Sequence, residues 1–162
     1  MKKLLFLASL AAALLCSCGK DNPDGNYVTF GDVTVPVTHA MCTVSSHAGF
    51  EAVDMDFDGE IDGLSIHGFP RIGVDCIGKN VDLSKYDGSV NYTLDINTMN
   101  SSWPGQMNIG DQGPTEMVFK KGTMKLVKEE NGNYTLDING IVSDGAAYIW
   151  HITAEYVDPD KF

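Results

Sequence analysis

Polarity alternates along three successive runs between Phe119 and Tyr156, and that period of two leaves few folds open. Successive side chains of an extended strand point to opposite faces, so the alternation describes strands with one face buried and the other wet. Thr123-Met124-Lys125-Leu126-Val127-Lys128 is the first run, and Tyr134-Thr135-Leu136-Asp137-Ile138-Asn139 is the second. Between them, Glu130-Asn131-Gly132-Asn133 carries the Asn-Gly pair that takes positive φ in a tight hairpin without strain. Ser143-Asp144-Gly145 turns the chain again, and Tyr148, Trp150, Ile152, Ala154 and Tyr156 alternate along the third run. The three runs predict an antiparallel meander with one apolar face. The heptapeptide Asn-Tyr-Thr-Leu-Asp-Ile-Asn occurs at 91–97 and again at 133–139, so the same kind of strand is expected twice.

The remaining segments read the same way. Tyr27 to Phe30 and Val33 to Val37 flank Gly31-Asp32 as a hairpin. Pro36 has no N–H for a ladder, so its strand is expected at an edge or at a bulge. His39 to Ser45 continues as a strand, Ser46 to Gly49 turns, and Phe50 to Phe57 sets Val53, Met55 and Phe57 against Asp54, Asp56 and Asp58. Gly59 and Gly63 are read as a corner, followed by strands at Leu64 to Phe69 and Ile72 to Ile77. Val81 to Tyr86 is a connector with room for one helical turn. Thr98 to Glu116 has no periodicity and holds Pro104, Gly105, Gly110, Gly113 and Pro114; loops of this length in small β domains tend to be functional or mobile. No helical apolar stripe is found in the mature chain, so the fold class is all-β: an antiparallel β-sandwich or a lipocalin-like barrel built from meandering hairpins.

The amino terminus is set apart by composition. Lys2 and Lys3 precede the apolar run Leu4 to Leu15, and Ser17 stands before Cys18; this is a secretory signal too short and too early for a permanent span. Leu15-Cys16-Ser17-Cys18 resembles the bacterial lipobox, which implies cleavage before Cys18 and a diacylglycerol on its sulfur. A cut before Cys16 remains the alternative, because cysteine is unusual at the second lipobox position. The expected organisation is a signal at 1–17, a lipidated tether at 18–26 and one all-β domain at 27–158. The start of the tether, Cys18-Gly19-Lys20-Asp21-Asn22, resembles the lysine-plus-acid signals that send Bacteroidetes lipoproteins to the outer face of the outer membrane. The expected address is therefore the outer membrane, at the cell surface, with the periplasmic face as the alternative. More broadly, Gly122-Thr123, Asn133 to Leu136 and Asp144-Gly145 make the chain resemble the small surface lipoproteins of gut Bacteroidetes. That resemblance implies a sandwich or barrel and attaches no activity to it.

The chain holds 11 basic and 22 acidic residues in 162, for a net charge of −11. Loss of Lys2 and Lys3 with the signal leaves 9 bases against the same 22 acids, or −13. A surface this acidic repels phosphate backbones, so nucleic acid is not an expected partner. Beyond Cys18 only Cys42 and Cys76 remain, either as one disulfide in an oxidising compartment or as two buried thiols.

Three constellations bear on function. In Asp54-Met55-Asp56-Phe57-Asp58-Gly59-Glu60-Ile61-Asp62, carboxylates at the first, third and fifth positions precede a Gly at the sixth. A hard cation such as Ca²⁺ takes several oxygens at once, and a loop of this spacing would offer them. The run resembles the Asp-x-Asp-x-Asp-Gly-x-x-Asp loop of integrin-type propellers, which implies side-chain oxygens from Asp54, Asp56, Asp58 and Asp62 and the carbonyl of Glu60. A solvated strand face reads identically. Trp103, in the long loop beside Pro104, is either a stacking platform for a sugar or peptide or a lid on the core. Ser65 and His67 lie two apart and share one side of a strand, but the sequence names no orienting group for a triad. His39, His47, His67 and His151 have no metal-ligand spacing and read as strand or turn residues. With no nucleophile elbow, zincin motif or phosphate loop, the expectation is a non-catalytic module. It is anchored to the membrane by its lipid and binds a glycan, a peptide or a partner protein; the alternatives are a small secreted hydrolase and a lipocalin-like carrier of an apolar ligand.

Overall fold

The computed structural model describes residues 25–47, 49–85, 92–93, 96–98, 119–142 and 145–161. The first hairpin forms as expected, with β1 (Tyr27–Phe30) antiparallel to the start of β2 (Val33–His47). β2 is 15 residues long in all and runs on beyond the hairpin. Just after Pro36 its register against β3 (Phe50–Ile61) shifts between Val37 and His39, the bulge that a proline in a strand calls for.

β3 is longer than the alternation suggested, and Gly59 is not a corner. It is buried within the strand, opposite Val37 on one side and Ile66 on the other. A Cβ there would come to 2.6 Å from the Pro36 carbonyl oxygen and 3.1 Å from Ile66. Glycine stands at 59 because two neighbouring strands press on it, not because the chain turns. The turn lies at Asp62-Gly63, where both residues have positive φ (48° and 79°), as a two-residue type I′ hairpin needs.

β4 (Leu64–Gly68) and β5 (Arg71–Gly73) lie against β3 in a single register, from Ile61 opposite Leu64 to Ala52 opposite Gly73. They are one line of chain, interrupted at Phe69-Pro70, where the Pro70 carbonyl still accepts from the Met55 N–H at 2.9 Å. The strand expected to reach Ile77 stops at Gly73, and Val74–Cys76 forms a 3₁₀ turn. β6 (Asn80–Asp82) and a second 3₁₀ turn at Leu83–Lys85 occupy the expected connector. The first copy of the heptapeptide supplies two short pieces, β7 (Tyr92–Thr93) against β5 and β8 (Ile96–Thr98) against β4. The second copy, from its Tyr134 onward, lies within one continuous strand.

The carboxy-terminal meander is β9 (Phe119–Lys128), β10 (Tyr134–Val142) and β11 (Ala147–Tyr156), paired antiparallel in sequence. Of the five alternating residues on β11, Tyr148, Trp150, Ile152 and Ala154 are buried, while Tyr156 is exposed and tilts against Tyr134. The strand order is β6-β9-β10-β11-β1-β2-β3-β4-β8, with Glu155-Tyr156 also lying parallel to Met41-Cys42. Among the described residues the path ends at β6 and β8 and does not close, so the architecture is all-β, antiparallel and sandwich-like. One apolar cluster fills it, from Val28 and Val35 through Phe57 and Ile72 to Leu136 and Trp150.

Aromatic rings pack between the layers and within one of them. Phe57 meets Trp150 edge-on at 5.4 Å, and Tyr148 meets Phe119 and Phe30, each at 5.7 Å. The far end of the Phe57 ring lies over Gly68, its cross-strand partner; a Cβ at 68 would sit 2.1 Å from Phe57 Cζ. Gly68→Ala must therefore displace a fully buried ring, and is expected to cost about 1–3 kcal/mol or more of stability. Chemical denaturation checks this, and a midpoint equal to wild type would show that Phe57 repacks freely.

Candidate functional site

Two surfaces bear functional side chains. The first is the outer face of β2, β3 and β4. Because β3 is extended, its even-numbered residues share that face: Asp54, Asp56, Asp58 and Glu60 point out while Val53, Met55 and Phe57 are buried. Of the two readings the sequence left open, a calcium loop and a solvated strand face, the chain forms the strand. A strand spaces alternate side chains about 6.5 Å apart, so Asp54 and Glu60 are roughly 20 Å apart along the chain. Calcium holds its oxygens at about 2.5 Å, and the five residues Asp54, Asp56, Asp58, Glu60 and Asp62 are not gathered around one point. Asp54 is engaged by the Ser45 hydroxyl and by Arg71 Nε at 2.5 Å. Glu60 is exposed opposite Ser65, and Asp62 belongs to the I′ turn.

Asp56 and Asp58 are gathered by a residue that the sequence reading weighed beside Ser65 and took for a strand or turn residue, and did not connect with these acids. His67 of β4 stands opposite Asp58, with its Nδ1 2.6 Å from Asp58 Oδ1 and 3.8 Å from Asp56 Oδ1. The Phe69 ring meets the imidazole edge-on at 3.9 Å. The signal was present in Asp62-Gly63. A two-residue hairpin there puts Ile61 opposite Leu64, and counting back three residues on each strand pairs Asp58 with His67. A second pair lies on the other layer, where His151 Nδ1 is 2.6 Å from Asp137 Oδ1, its cross-strand partner. His67 thus has an orienting carboxylate, yet no hydrogen bond joins Ser65 to it among the described residues, and no triad is assembled there.

The second surface is an open groove of about 490 Å³ where β6 and its 3₁₀ turn meet β9 and β10. Asp82, Ser84, Lys121, Thr123 and Asn139 line it, over a floor that includes Gly122 and Gly140. Asp82 accepts from the Ser84 hydroxyl at 2.6 Å and the Ser84 N–H at 3.1 Å, and pairs with Lys85 at 3.1 Å. The Ser84 hydroxyl and then Lys85 hold its carboxyl below the usual range, so it is charged. Sequence reading missed this groove, because its residues come from segments far apart in the chain and no single motif holds them together. Trp103 and Cys18 lie outside the described residues.

Cys42 and Cys76 are free and buried rather than bridged. Burial pushes Cys42 up to about 11 from an ordinary 9.0. Burial, and then the neighbouring Asp75 carboxylate, push Cys76 up to about 11 as well. Thiols held protonated in this way are poor nucleophiles. They also couple to folding. Below about pH 9 both are protonated in the folded and unfolded chain, so their burial costs nothing in linkage. Above it the unfolded chain ionises first, and stability falls as pH climbs towards the folded value. Urea melts across this range are expected to show an alkaline loss of stability that Cys42→Ala makes shallower; an unchanged slope would mean that Cys42 ionises as easily folded as unfolded.

Neither a protein-family model, nor a curated protein, nor a solved structure matches this chain.

Proposed function

We propose that this chain is a lipid-anchored, non-catalytic binding module displayed on the outer membrane at the cell surface, and that it takes a glycan in the groove beside β9 and β10. The groove carries the reading. Its volume is within the range of small-ligand sites, about 300–1,000 Å³. Its rim mixes a carboxylate, an ammonium, two hydroxyls and an amide, from Asp82, Lys121, Ser84, Thr123 and Asn139. Sugar hydroxyls donate and accept at once, and such a rim offers both kinds of partner within one short reach. The Asn139 amide offers an acceptor and two donors in one plane, matched to a pair of vicinal hydroxyls. Asp82 is already oriented by Ser84, which lowers the ordering cost of a ligand contact. The anchor rests on Leu15-Cys16-Ser17-Cys18 and on the short acidic tether that follows.

On a glycan array, the full chain is expected to bind a defined subset of sugars. Removing one polar partner from a formed contact costs about 1–3 kcal/mol, so Asn139→Ala and Asp82→Ala should each weaken binding roughly tenfold or more. Array binding that both variants retain in full would move the site away from this groove. Recovery of a protein and of no sugar would replace the glycan with a protein partner.

The address is tested separately. A diacylglycerol thioether plus an amide-linked chain holds a lipoprotein in the bilayer, where a single acyl chain is marginal. Cys18→Ala is expected to leave the membrane fraction and lose palmitate label, while folding as wild type does. A variant that stays in the membrane would place the anchor elsewhere.

A further inference from the structure

We infer that the outer face of β2, β3 and β4 holds a divalent transition-metal ion, with zinc the best match, through Asp56, Asp58 and His67 and with His39 as fourth donor. One donor atom from each of Asp56, Asp58 and His67 lies within 4.8 Å of the others. Zinc binds imidazole nitrogen and carboxylate oxygen at about 2.0–2.2 Å in a tetrahedron, which sets neighbouring donors about 3.5 Å apart. The observed donors therefore need only small side-chain rotations to close on one ion.

The site does not rest on carboxylates alone. In the cross-strand register Asp58 stands opposite two histidines, His39 on β2 and His67 on β4. Directly opposed residues of an antiparallel pair have Cβ atoms about 5 Å apart, within side-chain reach of a common ion. His39 is exposed on the same outer face. The three strands are hydrogen-bonded to one another, so the backbone fixes the donors before any ion arrives. Phe69 against the His67 ring further restricts its rotation.

The donor chemistry selects the ion. Two carboxylates and two imidazoles suit zinc and its first-row neighbours, whereas calcium takes six to eight oxygens. Of the two acids that flank the cluster on this face of β3, Asp54 is held by Arg71 and Ser45, while Glu60 stands opposite Ser65. The pair on the opposite layer supplies a built-in comparison. His151 and Asp137 make the same 2.6 Å contact, but the residue opposite Asp137 on β9 is Lys125, a cation in place of a second donor.

The test is zinc titration of the purified full chain by calorimetry, with calcium in parallel and far-UV circular dichroism on every variant. One zinc per chain is expected. His67→Ala and Asp56→Asn should each lower affinity at least tenfold and His39→Ala severalfold, while His151→Ala leaves it unchanged. These side chains are half-exposed or exposed, so the variants are expected to keep the wild-type spectrum. Should a single variant lose it, the remaining two of His67→Ala, Asp56→Asn and His39→Ala, read beside His151→Ala, decide the matter. Equal zinc binding by wild type and His67→Ala overturns the inference. So does an equal response to calcium and zinc, which would be general screening of an acidic face.

Discussion

One strand belongs to both layers of this protein, and the rest of the architecture follows from that. β2 leaves the β1 hairpin, passes the bulge after Pro36 and continues beside β3. Proline removes a ladder donor, and the extra residue at the shift lets the strand bend and twist. The bend carries Val35 and Cys42, both buried, into one cluster with residues of both layers. It also presses the Pro36 carbonyl against position 59, where any side chain would collide. The proline of one strand and the glycine of the next are therefore a matched pair, separated by more than twenty residues of sequence.

Much of this was readable before any coordinates. The meander from Phe119 to Tyr156 was plain because alternation, Asn-Gly and Asp-Gly all agreed, and agreement between local and global preferences is what makes a strand legible. The bulge at Pro36 followed from a missing donor. What escaped reading depended on pairing across distance. A six-residue window cannot tell that Leu64 to Gly73 is one line broken at Pro70, because the register that proves it belongs to β3. Nor can it tell that the two identical heptapeptides differ in role. The second lies between β9 and β11, paired on both sides, while the first is parcelled between β4 and β5. Sequence specifies a strand's faces; its neighbours specify how much of it persists.

The acidic run shows the same limit in the candidate site. Carboxylates at alternate positions with glycine sixth satisfy a calcium loop and a strand face equally, and the deciding fact was why the glycine was there. Since Gly59 is required by packing, its presence says nothing about a turn. The true turn residues were Asp62 and Gly63, and reading them as a two-residue hairpin would have brought His67 to Asp58 by counting alone. Trp103 and the lipobox lie outside the described residues, and their readings stand on sequence only.

Asn26 has a mechanical consequence. It sits just ahead of β1, where its side-chain amide donates to the Thr153 carbonyl at 2.8 Å and accepts from the Thr153 N–H at 2.7 Å. Its backbone carbonyl accepts from Val37 N–H at 2.9 Å. A side chain thus serves as an additional rung, and β1 is gripped by β2 on one side and β11 on the other. A pull applied through the amino terminus along the strand would load these rungs in shear, all at once, instead of peeling them singly. The four-residue strand that looks weak by length is thus well placed to bear tension along the chain.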